Sequence, residues 1–462
     1  MLPSVTASTM NFTVFSRPVK LRYGEVHNKM QEPMRLPQEV IARYADGKSA
    51  MAISGFDVDM VRRAPDGRES RVKLDDHYLH HYALSMADAP TMSKMLSAAS
   101  EDAMFARMLS GCHAMTRSGI HNFNNKLWLE SRGKGRRMAT LGSAAGAEYR
   151  DNLQRFDRPF RAVLLRPEVW APLLHIINMK ESRSQTPWSP LLECPCTPQR
   201  RIDVAAGTID GRHPEPPIKC SKEFAATGNP SCHLATYVGG WRCCEHHMFL
   251  IDTDKECEHP DCRERPADEV FMKFTFFYED AVQGVIPVEP AACCDVTSTT
   301  QGGENIEYDI PACAPGTPPE RCLHVAETVQ PVAYYDQHPK SPFEDHKGSD
   351  MVHLVFAAPH LHVAGLSLQL FDNTTNKLLC EVHAVKDNSG GVTYGHGHAA
   401  GDEDGYMVGL STCRWDGAHA PQFRRDHPLR MRAVYNASMY HTGVMSLWLM
   451  NVAPVNEPDI LV

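Results

Sequence analysis

The sequence predicts a mainly β protein: two jelly-roll-like β-sandwich domains with a Cys-rich irregular insertion between them. Three observations carry this. Segments near both ends alternate apolar and polar residues at a period of two, the mark of half-buried strands. Twelve of the 15 cysteines crowd between Cys194 and Cys322. The chain is 462 residues long, more than one hydrophobic core ordinarily organises. The expected division is residues 1–185 for the first sandwich, 186–265 for the Cys-rich segment and 266–462 for the second sandwich.

In chain order, "FTVFSRPVKLRY", "KSAMAISGFDVDMVRR" and "SRVKLDDHYLHHYALSM" read as strands within residues 12–86, and "APDG" between the last two is a hairpin turn signal. Residues 92–110 read as helical, and 118–150, rich in Gly, Asn, Lys and Arg, as loops with a short strand. "FRAVLLRPEVWAPLLHIINMK" returns to strand. Residues 185–265 are irregular, rich in Pro and Cys, and expected to be stapled by disulfides. Strand resumes at "VFMKFTFFYED", and from 351 to 455 the pattern is β throughout: "MVHLVFAAPHLHVAGLSLQLFD", "KLLCEVHAV", "GYMVGLSTCRW", "PLRMRAVYNAS" and "GVMSLWLMNVA". Short strands separated by turns indicate sandwiches.

Composition excludes some functions. The formal net charge is −9 with no long basic run, so nothing in the chain would displace counterions from phosphates, and nucleic acid is not an expected partner. No stretch approaches the run of about 20 apolar residues that spans a bilayer. The cysteine density points to an oxidising compartment, hence to a secreted or endomembrane-lumen protein. Three N-x-S/T sequons, at Asn11, Asn373 and Asn436, agree with that placement. The opening "MLPSVTASTMNFTVF" does not read as a signal peptide, having neither a basic start nor a continuous apolar middle. The odd cysteine count leaves one thiol over, for which Cys112, remote from the others, is the expected residue.

Among 24 histidines, pairs on strands carry more information than any single one. His80 and His81 are adjacent in "DDHYLHHYALSM", with His77 close by. Neighbours on a regular strand point to opposite faces, so the pair ligates one ion only if the strand twists or ends there; otherwise it is a polar strand end. His360 and His362 form an H-x-H, which puts two imidazoles on one face at a Cα separation of roughly 7 Å. That arrangement suits two ligands on one zinc or copper ion, and equally suits two polar residues on a solvated face. Met445, in "YHTGVMSLWLM", is either core filling or a soft thioether ligand that favours copper. Competing clusters are "RCCEHHMF" (Cys243, Cys244, His246, His247) and "CEHPDC" (Cys257, His259, Cys262), whose spacing suits disulfides better than zinc knuckles. "YGHGHAAGDEDGY", with His396 and His398, reads as a Gly-rich loop able to line a site without binding metal.

The ordered set "DDHYLHHYALSM", "GSAAGAEYR", "WAPLLHIINMK", "GGWRCC", "HLHVAGLSLQLFD", "DEDGYMVGLSTCRW" and "YHTGVMSLWLMNVA" resembles the stress-up-regulated nodulin family of plants and algae, from about residue 12 to residue 455. That family is in turn distantly similar to the copper type II, ascorbate-dependent monooxygenases, peptidylglycine α-hydroxylating monooxygenase among them. The resemblance implies two β-sandwich domains, each holding one copper across a solvent-filled cleft. It implies an electron-transfer copper on His80, His81 and His175, and an oxygen-binding copper on His360, His362 and Met445, these last three being the catalytic set. It also implies a disulfide between Cys380 and Cys413. The chain departs from those enzymes in its longer Cys-rich segment, and it carries no match to their substrate-anchoring residues.

The function this implies is hydroxylation of a C–H bond in a small-molecule or peptide substrate, with O2 and a reductant such as ascorbate. The rival expectation is a secreted copper-binding or structural glycoprotein without turnover. A third is a zinc-stabilised module on residues 232–262.

Overall fold

The computed structural model describes residues 9–22, 26–101, 137–143, 154–178, 180, 202–203, 208–209, 267–296, 308–310, 312–333, 351–362, 364–383, 392–404, 406–438 and 441–455. Apart from the two-residue strands Ile202–Asp203 and Thr208–Ile209, the Cys-rich segment 186–265 lies outside these residues, as does Cys112. The competing clusters around Cys243 to His247 and Cys257 to Cys262 therefore lie outside as well.

The described chain is mainly β, in several antiparallel sheets, with a helix at Ala89–Glu101 where helical character is expected. In the N-terminal half, one sheet runs Met10–Phe15, Asp268–Asp280, Ala50–Arg63, Phe160–Leu165 and Ile286–Pro287, the last pair parallel. The other runs Val26–Met30, Val169–Asn178, His77–Ala87 and Met138–Ser143. The hairpin signal at "APDG" is realised: Ala50–Arg63 turns back into Glu69–Arg71, with Gly67 at φ +85°, where a side chain would be strained.

Period-two patterning explains how the two sheets face each other. Along Asp268–Asp280 the buried apolar residues are Val270, Met272, Phe274, Phe276 and Tyr278, every second position. Phe274 meets Tyr82 of the opposite sheet at 5.6 Å between ring centroids and Trp170 at 5.5 Å, both edge to face. Phe56 meets Tyr82 at 6.3 Å. These aromatic contacts lock the sheets together in the geometry such rings prefer. Asp268–Asp280, which falls after residue 266 and so beyond the expected boundary, is thus held between Met10–Phe15 and Ala50–Arg63 of the first half.

In the C-terminal half, one sheet runs Glu289–Asp295, Ser446–Pro454, Met351–Leu361 and Cys413–Arg414. The other runs Leu323–Pro331, Pro428–Asn436, Gly365–Asp372 and Lys377–His383. The disulfide Cys380–Cys413 joins the two sheets, as the resemblance implies. Trp448, fully buried on the first sheet, donates its Nε1–H to Gln369 O of the second at 3.4 Å. A second disulfide, Cys313–Cys322, closes the turn just before Leu323.

The halves share one contiguous apolar core. Phe156 packs on Phe356 at 5.9 Å, and Phe160 on His353 at 5.4 Å. The backbone N–H of Leu74 in the first half donates to the buried Glu403 carboxylate of the second at 2.9 Å.

Candidate metal centre

His360 lies near the end of Met351–Leu361, a strand buried on both faces from Val352 onward, and His362 lies one residue past its end. Two residues apart on extended backbone, the imidazoles project to the same side. Their Nε2 atoms converge to 2.7 Å, with ring planes at 82°, and both side chains are wholly buried. Two such nitrogens either share one proton or ligate a common ion. Nitrogens each about 2.0–2.1 Å from an ion at a right angle stand about 2.9 Å apart. The spacing fits both.

Met445 is the single residue between the strands His441–Val444 and Ser446–Pro454, and it is buried. Pairing runs His360 with Leu447 and Leu361 with Ser446, so His362 and Met445 are the residues just past the last pair at the same end of the ladder. A residue that the sequence reading passed over fixes this arrangement. The Tyr435 hydroxyl accepts the His362 backbone N–H at 3.1 Å and donates to the Met445 carbonyl at 2.7 Å. The Ser446 hydroxyl lies 3.0 Å from the same oxygen. One buried phenol thus ties together the two chain segments that bear His360, His362 and Met445. His324 stands opposite Tyr435 on the neighbouring strand, also buried, and desolvation pushes its pKa down to about 4.

In the other half, His175 lies in Val169–Asn178 and is fully buried. It pairs with His81 across the strands, but its next residue, Ile176, pairs with Leu79. His80 is the extra residue of a β-bulge. A bulge sets two residues against one and suspends the strict alternation of faces, which removes the objection to an adjacent His pair. The side chains of His80 and His81 lie outside the described part of the structure, so the backbone register alone brings these three residues together.

The remaining polar groups near this strand have structural roles. His77 is fully buried, 3.9 Å from Asp268, and desolvation pushes its pKa down to about 4, the nearby Asp268 charge offsetting this only in part. Arg62 bridges Asp268 and Asp76 there. On the loop, His396 and His398 are exposed, whereas Glu403 is turned inward onto Leu74. Among the described residues, no three His, Cys, Asp or Glu side chains gather round one point. The C-terminal set consists of two histidines and a methionine, and the N-terminal set has one described imidazole.

The three sequon asparagines, Asn11, Asn373 and Asn436, are all exposed. No helix among the described residues is long and apolar enough to cross a membrane. Compared with known proteins, residues 228–455 match the family model described as stress up-regulated Nod 19, and these residues include His360, His362, Tyr435 and Met445. No curated protein matches the chain.

Proposed function

We propose, from the likeness of residues 228–455 to the stress up-regulated Nod 19 family and from the paired imidazoles, that this chain is a copper-dependent oxidoreductase of the monooxygenase kind. It would hydroxylate a C–H bond of a small-molecule or peptide substrate, using O2 and a reductant such as ascorbate. The observation that carries the reading is the convergence of His360 Nε2 and His362 Nε2 to 2.7 Å beside Met445. Two neutral nitrogens and a thioether form a soft, incomplete donor set, unlike the closed four-ligand set of structural zinc.

Copper held by His360, His362 and Met445, and a second ion held by His80, His81 and His175, would supply one-electron chemistry toward oxygen. The chain does the rest. Tyr435 fixes the spacing of the donors through the His362 N–H and the Met445 carbonyl. Burial of both imidazoles keeps bulk water from the donor nitrogens. The half-site on the N-terminal sheet depends on the bulge at His80 to bring two histidines against His175. We further propose export to an oxidising compartment, consistent with two disulfides and exposed sequons that would carry glycans.

The test is copper stoichiometry on the full chain, followed by oxygen uptake with ascorbate. Two coppers per chain with ascorbate-dependent uptake is the expected result; one or none sinks the reading. Two coppers without uptake would favour a second reading, a secreted copper-binding glycoprotein without turnover, which the exposed sequons and disulfides serve equally well. In the oxidoreductase, Met445→Ala weakens oxygen chemistry while the His80, His81 and His175 set keeps its metal, and His80→Ala removes one copper and leaves the fold intact.

A further inference from the structure

The two histidine sets sit on different sheets, yet the strand that carries His80 and His81 also carries a side chain that touches His362 of the other set. Along Val169–Asn178, Trp170 points into the N-terminal sandwich against Phe274, and so by alternation do Leu174 and Ile176. His175 and Ile177 therefore occupy the other face. Ile177 pairs with Tyr78, which places Tyr78 on that face too, two residues before His80 on the same strand. There its ring meets the His362 ring of the other half, edge to face, at 6.2 Å between centroids and 78° between planes. Both rings are buried, with at most 1% of either exposed, so the contact has no solvent to yield into. A second tie runs alongside it: the turn that leads into this strand is held by the Leu74 N–H to Glu403 hydrogen bond. On its far side His362 is held by Tyr435.

We propose that Tyr78 is a positioning residue that couples the two half-sites, so that occupancy of the His80/His81/His175 set sets the metal affinity of the His360/His362/Met445 set, and the reverse. This rests on the copper reading above. Binding at the His80, His81 and His175 set would act on the bulged strand that carries Tyr78. Tyr78 then shifts the plane of His362, whose Nε2 must meet that of His360. Packed interiors transmit such small displacements because they leave few voids to absorb them. Linkage requires the coupling to act equally in both directions.

The test is a titration of the full-length chain with copper(II) ion alone, followed by calorimetry and by electron paramagnetic resonance, for the wild type, Tyr78→Phe and Tyr78→Leu, each with and without His175→Ala. Removing His175 is expected to change the affinity of the second set about fivefold or more in the wild type and in Tyr78→Phe, which keeps the ring. In Tyr78→Leu the same removal should change nothing, and the resonance of the His360/His362 site should shift. An undiminished effect of His175→Ala in Tyr78→Leu overturns the coupling and leaves the copper reading standing. Absence of bound copper in the wild type overturns both. If Tyr78→Leu loses its cooperative melt, Tyr78→Met, unbranched and able to adapt to an irregular gap, removes the ring and gives the same discrimination.

Discussion

Tyr435 shows how a residue outside the donor set can govern it. Its hydroxyl serves three partners, and Tyr435→Phe removes that oxygen while keeping the ring. The His362 N–H and Met445 carbonyl then lose a buried partner, at a cost of about 1–3 kcal/mol. Copper affinity is expected to fall about tenfold or more with the fold retained, measured by chelator competition alongside circular dichroism. His324 gives a second expectation. Its pKa in the folded chain is near 4, below the ordinary 6.5, so between these values the unfolded chain binds the proton more readily. Stability is whole above about pH 6.5 and is lost as pH falls toward 4, by roughly 3 kcal/mol from this group. Urea denaturation across that range should show the slope, and His324→Gln should reduce it, leaving the share that the similarly depressed His77 contributes. The H-x-H pair stood out in the sequence by its spacing, whereas Met445 joined it only through the family resemblance. Tyr435, Tyr78 and His324 could not be singled out, because each acts through a partner at least 70 residues away along the chain, or by burial alone.

Period-two alternation revealed the strands at the level of elements, Asp268–Asp280 most clearly, where five alternate residues are buried. The hairpin after Ala50–Arg63 was legible from its turn residues. The bulge at His80 was not, because it is a property of pairing: a single strand read alone shows only two adjacent histidines. The disulfide Cys380–Cys413 followed from resemblance, and the structure adds what it does, which is to staple one sheet of the C-terminal half to the other. With a separation of 33 residues, the loop it closes should contribute about 3–4 kcal/mol. Cys413→Ala is expected to lower the denaturation midpoint accordingly, whereas reducing agent should add little further loss at this position in that variant.

At the scale of the molecule, the described parts of the two halves form one body because aromatic pairs and the Leu74–Glu403 hydrogen bond cross between halves that share a core. A single calorimetric transition is expected, and two separated transitions would contradict that packing. Strand order was the part of the architecture that composition and motifs could not supply. Asp268–Asp280 follows the Cys-rich segment in sequence but takes its neighbours from the beginning of the chain. That placement has a practical consequence for dissection. A truncation to residues 228–455 would keep this strand and discard both its flanking strands, leaving Val270, Met272, Phe274, Phe276 and Tyr278 as an uncovered greasy ribbon with open hydrogen-bonding edges. Such a ribbon recruits copies of itself. The truncated protein should elute as high-mass aggregate, and supplying residues 9–178 as a separate chain should rescue it by complementation.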